Sequence, residues 1–246
     1  LGSILCEHLL AAGYRVTALD NLMYGLGQQG LFHLCANPDF EFVKGDVRDE
    51  SVMRAALKSA DAVVHLAAIV GASACDKDAA LATGVNLDAV KLLNRLRSPS
   101  QTVIYPNTNS GYGATTGESY CTEETPLEPI SLYGRTKVEA ESLLLNSPNA
   151  VALRLATVFG FSPRMRLDLL VNDFVYRAVT DRAVVLFEAH AKRNYIHVRD
   201  VALAFQHAMS NFESMRDRPY NVGLSDANLS KLELCERIRL QIPAFT

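Results

Sequence analysis

Short apolar, β-branched runs alternate along this chain with stretches whose apolar residues recur every three or four positions. Residues 3–12 (SILCEHLLAA) carry the helical spacing, and Gly13 is placed to cap them. YRVTALD follows as a short strand ending in an acid; FEFVKGD and DAVVHLAA read as the next two strands, with helical ESVMRAALKSA between them. ATGVNLDAVKLLNRLR predicts an amphipathic helix and TVIYPNT a strand. Residues 131–147 predict a further helix and AVALRLATVFG a further strand. The pattern then loosens into a helix at 167–180, a strand at 184–188, the strand NYIHV, a helix at 198–212, the strand YNVGL and a last helix.

Strands that alternate with helices over residues 1–160 imply βαβ units, hence a parallel, doubly wound sheet with helices on both faces. Several of these strands are apolar almost throughout, as a sheet covered on both faces requires. Residues 161–246 read mainly as a smaller lobe over the carboxyl edge of the sheet, with strands that return to it. A chain of 246 residues, 49% hydrophobic, suffices for that arrangement. The net charge of −3 and the absence of any basic run argue against a nucleic acid or a membrane surface as partner. No apolar stretch has the roughly 18 residues of a membrane span. Five cysteines without close spacing suggest free thiols in a reducing, cytoplasmic compartment.

In an open parallel sheet a ligand binds beyond the carboxyl ends of the strands. Asp20 and Asn21, Asp46, and Thr108 stand at such ends. Asp20 follows Gly2 by 18 positions, the distance at which an acid beyond a glycine fingerprint bonds the adenosine ribose of NAD. A strand-end acid meeting solvent is the alternative. HLAA (65–68) brings small residues to a strand exit, where a flat ligand can approach the backbone; His65 is a ligand group or a core histidine. SLYGRTK sets Tyr133 and Lys137 one helical turn apart on one face, either as a surface pair or as a phenol whose proton affinity a cation controls.

Taken in order, LGSILCEHLLAAGYRVTALDN, GDVRD, HLAA, VNLDAVKLLN, YPNTNSGYG, SLYGRTKVEAE, LRLATVFG, RNYIHVRDVA and YNVG resemble the extended short-chain dehydrogenase/reductases, in particular the NAD-dependent nucleotide-sugar epimerases and dehydratases. The resemblance runs nearly from end to end. It implies a Rossmann-type fold, a leading strand and GxxGxxG turn of which only the last glycine, Gly2, is present, and a C-terminal stretch beyond Thr246. It also implies NAD as cofactor, held by Gly2, Asp20, Asn21, Asp46, Val47, Leu66, Ala67, Ala68, Asn86, Tyr133 and Lys137. For Asn86 a helix cap or a packing polar group is the alternative.

The family's YxxxK pair matches Tyr133 and Lys137, with Thr108 as the third catalytic residue and Ser110 as the other candidate. A free tyrosine ionises near pH 10, so a neighbouring ammonium and the nicotinamide charge are needed to make it a base. In the implied reaction Tyr133 removes a proton from a sugar hydroxyl, at C4 by expectation, and the resulting keto sugar is reduced from its other face. Related dehydratases carry an acid just after the catalytic Ser/Thr; here Asn109 and Ser110 follow Thr108, which favours epimerisation. A 4,6-dehydratase, a keto-sugar reductase and a non-catalytic nucleotide-sensing relative are the alternatives.

For the nucleotide-sugar substrate, Arg193 matches a phosphate-binding arginine and Asn172 a diphosphate-binding asparagine; Arg164 and Arg166 are close in sequence. Thr157 stands where the family often has Asn. Helices 86–97 and 133–147 carry apolar stripes on more than one side, and the resemblance implies that they form a homodimer interface.

Overall fold

The computed structural model describes residues 1–24, 29–114 and 120–246. In chain order it begins with α1 (Gly2–Ala11), β1 (Val16–Asp20), a 3₁₀ segment, β2 (Phe40–Lys44), α2 (Glu50–Leu57), β3 (Ala62–Val64) and α3 (Ala72–Lys77). A continuous helical stretch follows, made of α4 (Ala79–Thr83), a π turn (Gly84–Asp88) and α5 (Ala89–Leu96). Then come β4 (Thr102–Thr108), α6 (Leu132–Leu145), β5 (Ala150–Leu155), β6 (Thr157–Phe159), α7 (Leu170–Thr180), β7 (Lys192–His197), α8 (Val198–Ser210), α9 (Phe212–Met215), β8 (Arg218–Val222), β9 (Asn228–Ser230) and α10 (Lys231–Gln241).

Local chemistry sets these boundaries. Gly13 adopts φ +85° just past α1, and its N–H bonds the Leu10 carbonyl. The Asp49 carboxylate accepts from the Ser51 and Val52 N–H groups and starts α2. Ser230 and Glu233 form a reciprocal capping box on α10.

β3, β4, β5 and β8 form one parallel sheet in that order, and β1 pairs with β2 in parallel from Val16–Phe40 to Asp20–Lys44. β6 pairs in parallel with β7, which pairs antiparallel with β9. Both faces of the larger sheet are buried. Ile104, Val151 and Leu153 are packed with Ile4, Leu5 and Leu9 of α1 and Val201 and Phe205 of α8. Val103, Tyr105 and Ala150 are packed with Val90 and Leu93 of α5 and Ala140 and Leu144 of α6. Consecutive β4 residues thus enter opposite cores, which is why TVIYPNT reads as a nearly continuous apolar run. A third core joins Val171, Phe174 and Ala178 of α7 to Tyr195, Leu234, Ile238 and Phe245.

Two expectations change. AVALRLATVFG is two strands, because at Ala156 the chain leaves β4 and β8 and continues beside β7; the Ala156 N–H bonds the Val222 carbonyl at that step. Residues 184–188 alternate as a strand should, with Val184 and Leu186 turned to the third core and Val185 and Phe187 exposed. They join no ladder among the described residues: the Val184 N–H bonds the Thr246 carbonyl instead, and Glu188 turns the chain at φ +50°.

Candidate active site

Thr108 ends β4, and the chain turns at once through a 3₁₀ segment, Asn109–Tyr112. Two glycines let α6 lie against that turn. A Cβ on Gly111 would come within 2.9 Å of Val138 Cγ2, and one on Gly134 within 2.9 Å of Pro129 Cβ and 3.3 Å of the Ser110 carbonyl oxygen. Ser131 caps α6 by accepting from the Gly134 N–H at 3.0 Å. The first two turns of α6, with Tyr133 and Lys137, are thereby held against the end of β4.

Thr108 is buried, and its Oγ1 accepts from the Ser110 N–H at 3.2 Å, which leaves its hydroxyl proton to be donated. Ser110, the other candidate, is exposed. Lys137 is 3% exposed, and its Nζ lies 3.9 Å from the centre of the Tyr105 ring. Burial lowers its pKa to about 7, against the pull of Glu141 one turn along the helix. Burial and the nearby Cys75 push the Tyr133 phenol up to about 12, with Arg166 acting in the opposite direction. The sequence reading expected Lys137 to favour the phenolate. In the protein alone desolvation dominates, and the cation that opposes it is Arg166.

His65 follows β3 and is 5% exposed, with Nε2 unpartnered among the described residues. Burial and then the Lys137 charge bring its pKa down to about 3, so it is a neutral core imidazole. Leu66 packs under the start of α1, 3.5 Å from where a Cβ of Gly2 would lie. Val47, Ala67 and Ala68 are half-buried.

Asp20 is exposed at the end of β1, with Oδ1 accepting from the Leu22 N–H at 2.7 Å. Asn21 donates to Asp46 Oδ2 at 3.2 Å. Asp46 also accepts from the Arg48 backbone N–H and Nε at 2.9 Å and from Nη2 at 2.8 Å, and this pairing holds its carboxyl well below the usual range.

The two buried candidate asparagines have their amides occupied. Asn86, 1% exposed, accepts from the Ile69 N–H at 2.8 Å and donates to the Ile69 carbonyl at 3.0 Å, so it pins the segment after HLAA. Asn86 lies inside the π turn and not at a helix cap, and its amide packs onto the Ile69 backbone. Asn172 accepts from the Gly160 N–H and donates to the Arg166 carbonyl, both at 3.0 Å, and so closes the 160–166 loop. Arg166 forks onto Asp168, and Arg164 stacks 4.0 Å over the Tyr24 ring. Arg193 is exposed on β7 opposite Leu229. The structure therefore brings Tyr133 close to Cys75 and Lys137 close to His65, leaves Thr108 at the end of the strand on which α6 packs, gathers Asp20, Asn21 and Asp46 beyond β1 and β2, and turns Asn86 and Asn172 toward backbone.

Sequence reasoning missed a buried ion pair behind these residues, in which Arg154 Nη2 donates to Glu141 Oε1 at 2.6 Å. The signal was present: a lone arginine in the run AVALRL and a glutamate one turn after Lys137.

A buried ammonium with no protein hydrogen-bond acceptor among the described residues, on a helix that carries a phenol one turn before it and packs on the strand that ends in Thr108, suits a polyhydroxylated ligand. A model of the family described as "NAD dependent epimerase/dehydratase family" matches residues 1–223. The low-salt glycan biosynthesis protein Agl12 of Haloferax volcanii is 27% identical over 229 residues, 91% of this chain and 73% of that protein. The dTDP-glucose 4,6-dehydratase of Bacillus anthracis, solved with NAD, is similar with a TM-score of 0.86 at 20% identity, over all of this chain and 78% of that one. The UDP-glucuronic acid 4-epimerase of Bacillus cereus, solved with UDP-glucuronic acid and NAD, is similar with a TM-score of 0.86 at 25% identity, over 97% of this chain and 79% of that one.

Proposed function

Because this chain belongs to the NAD-dependent epimerase/dehydratase family, whose members act on nucleotide sugars, we propose that it inverts a nucleotide sugar, at C4, by transient oxidation to the keto sugar. The observation that carries the proposal is the buried Lys137 one helical turn from Tyr133, with the Thr108 hydroxyl at the adjoining strand end. Lys137, Tyr133 and the segment around Leu66, Ala67 and Ala68 would hold the nicotinamide half of NAD, and Asp20 its adenosine ribose. When bound, NAD supplies the hydride acceptor and donor.

The residues of the chain perform the remaining work. Thr108 donates its hydroxyl proton to the reacting sugar oxygen and orients it. Tyr133 removes the proton from that hydroxyl and later returns it. The phenol at about 12 is too weak an acid to be ionised alone at neutral pH. A second positive charge in the site is therefore part of the activation, and Lys137 and Arg166 act with it. Arg193 and the arginines of the 160–166 loop face the substrate diphosphate. The third core forms the sugar-nucleotide lobe, and α5 and α6, already joined by the Lys91–Glu139 ion pair, lie at a homodimer interface.

Loss of water from the sugar needs an acid for the leaving hydroxyl and a base for the C5 proton. Asn109 and Ser110, the residues after Thr108, supply neither, which supports inversion over dehydration. No helix among the described residues is long and apolar enough to cross a membrane. The full-length protein is to be incubated with NAD and a panel of UDP-, GDP-, CDP- and dTDP-sugars, with products followed by proton NMR. A C4 epimer is the expected product; a 4-keto-6-deoxy sugar would contradict the proposal and assign the dehydratase reaction.

A further inference from the structure

Behind the candidate active site the main sheet buries a carboxylate with more partners than an ion pair requires. Glu141 is 2% exposed and lies one turn after Lys137 on α6. Its Oε1 accepts from Arg154 Nε at 3.1 Å and Nη2 at 2.6 Å, and its Oε2 from Arg154 Nε at 3.2 Å. Oε2 also accepts from Asn107 Nδ2 at 2.5 Å, and the Oδ1 of the same Asn107 accepts from the Thr108 N–H at 2.8 Å. On its far side Arg154 donates through Nη1 to the Tyr112 hydroxyl at 2.9 Å and the Glu123 carbonyl at 3.0 Å, and Tyr112 donates to Asn221 at 2.6 Å. Glu141 thus ties the helix that carries Tyr133 and Lys137 to the strand that ends in Thr108 and to β5.

A pair this deep is a poor source of stability. The desolvation of two ions roughly cancels their attraction, and apolar residues of equal volume commonly do as well or better. What the carboxylate adds is a fixed negative charge in a dry place beside a buried ammonium. The other groups around Lys137 do not supply one. Tyr105 beneath it and Tyr133 before it hold their protons well above neutral pH, His65 is neutral, Arg154 on the carboxylate of Glu141 is a cation, and so is Arg166, which acts on Tyr133.

We propose that Glu141 is a positioning residue: clamped by Arg154 and Asn107, it locks the Thr108 strand end against α6 and keeps the Lys137 side chain protonated for work beside Tyr133. The inference rests on the catalytic reading of Tyr133 and Lys137 given above, and its test is independent of turnover.

The test is the titration of Lys137 in full-length protein labelled with ¹³C at lysine Cε, its resonance assigned by its loss in Lys137→Arg. In Glu141→Gln the midpoint is expected to fall by about one pH unit or more relative to the unsubstituted protein. Because Glu141→Gln leaves Arg154 without its partner, the double variant Glu141→Gln/Arg154→Met, which removes both charges at similar volume, provides a second measurement with the same expected direction. An unmoved midpoint in either folded variant overturns the inference. With an active protein, the high-pH limb of kcat moves down with the Lys137 midpoint, a change that a purely structural role does not produce; a limb that stays in place also overturns it. If no nucleotide sugar is turned over by the unsubstituted protein, the catalytic reading fails while the titration still decides the role of Glu141.

Discussion

Replacing Lys137 with Met makes the buried ammonium measurable as stability. Burial lowers this lysine from 10.5 to about 7. Between those values the unfolded chain binds a proton that the folded protein does not, so folding is favoured as pH rises, by about 1.4 kcal/mol per unit. From pH 7, where the folded lysine is half protonated, to pH 9 the unsubstituted protein should therefore gain about 2 kcal/mol relative to Lys137→Met. Urea unfolding followed by circular dichroism is the assay, since the chain has no Trp. The raised groups Cys6, at about 11, and Tyr105 act the other way at higher pH, but they are common to both proteins and cancel in the difference. Parallel stability curves over this range would refute the claim that Lys137 is held in a site that disfavours its charge.

His65 works in the acid range. With its pKa lowered to about 3, it binds a proton only on unfolding between pH 6.5 and about 3, so the protein should lose about 1.4 kcal/mol per unit relative to His65→Leu as pH falls from 6.5; urea titrations at pH 4 to 6.5 check this. Asn86→Ala removes both partners of the Ile69 backbone, and a loss of about 3 kcal/mol is expected in the same unfolding assay. Gly113 adopts φ +75° with the Glu128 carbonyl oxygen where a Cβ would lie, so Gly113→Ala should cost roughly 3 kcal/mol or more, read as a lower melting temperature, whereas Gly13→Ala, with open space around it, should cost about 1 kcal/mol.

The sheet was legible because burial on both faces leaves a plain mark in TVIYPNT and AVALRL, which are apolar almost throughout; in DAVVHLAA only Ala62–Val64 form the strand. The split of AVALRLATVFG was not, since Ala156 and Thr157 change neither hydropathy nor spacing, and only the pairing partners differ on either side. The placement of Tyr133 and Lys137 on one face of a helix was legible from their spacing, and that of Thr108 at a strand end from the run TVIYPNT. Their proton affinities were not, because those depend on how much water α6 and the turn after β4 exclude. Asn86 and Asn172 show a related limit. A buried amide that faces a ligand and one that clips a backbone look alike in sequence, and here both bond main chain. Arg166 was noticed only as a neighbour in sequence, yet it is the cation that opposes the burial of Tyr133.

The most direct measurement of the central claim compares turnover of a nucleotide sugar by the full-length protein and by its Tyr133→Phe variant, with urea unfolding measured on both. The account predicts unchanged folding and a loss of turnover of about 10²-fold or more, the usual contribution of a positioned proton-transfer group. Turnover that survives the loss of this one oxygen would contradict it.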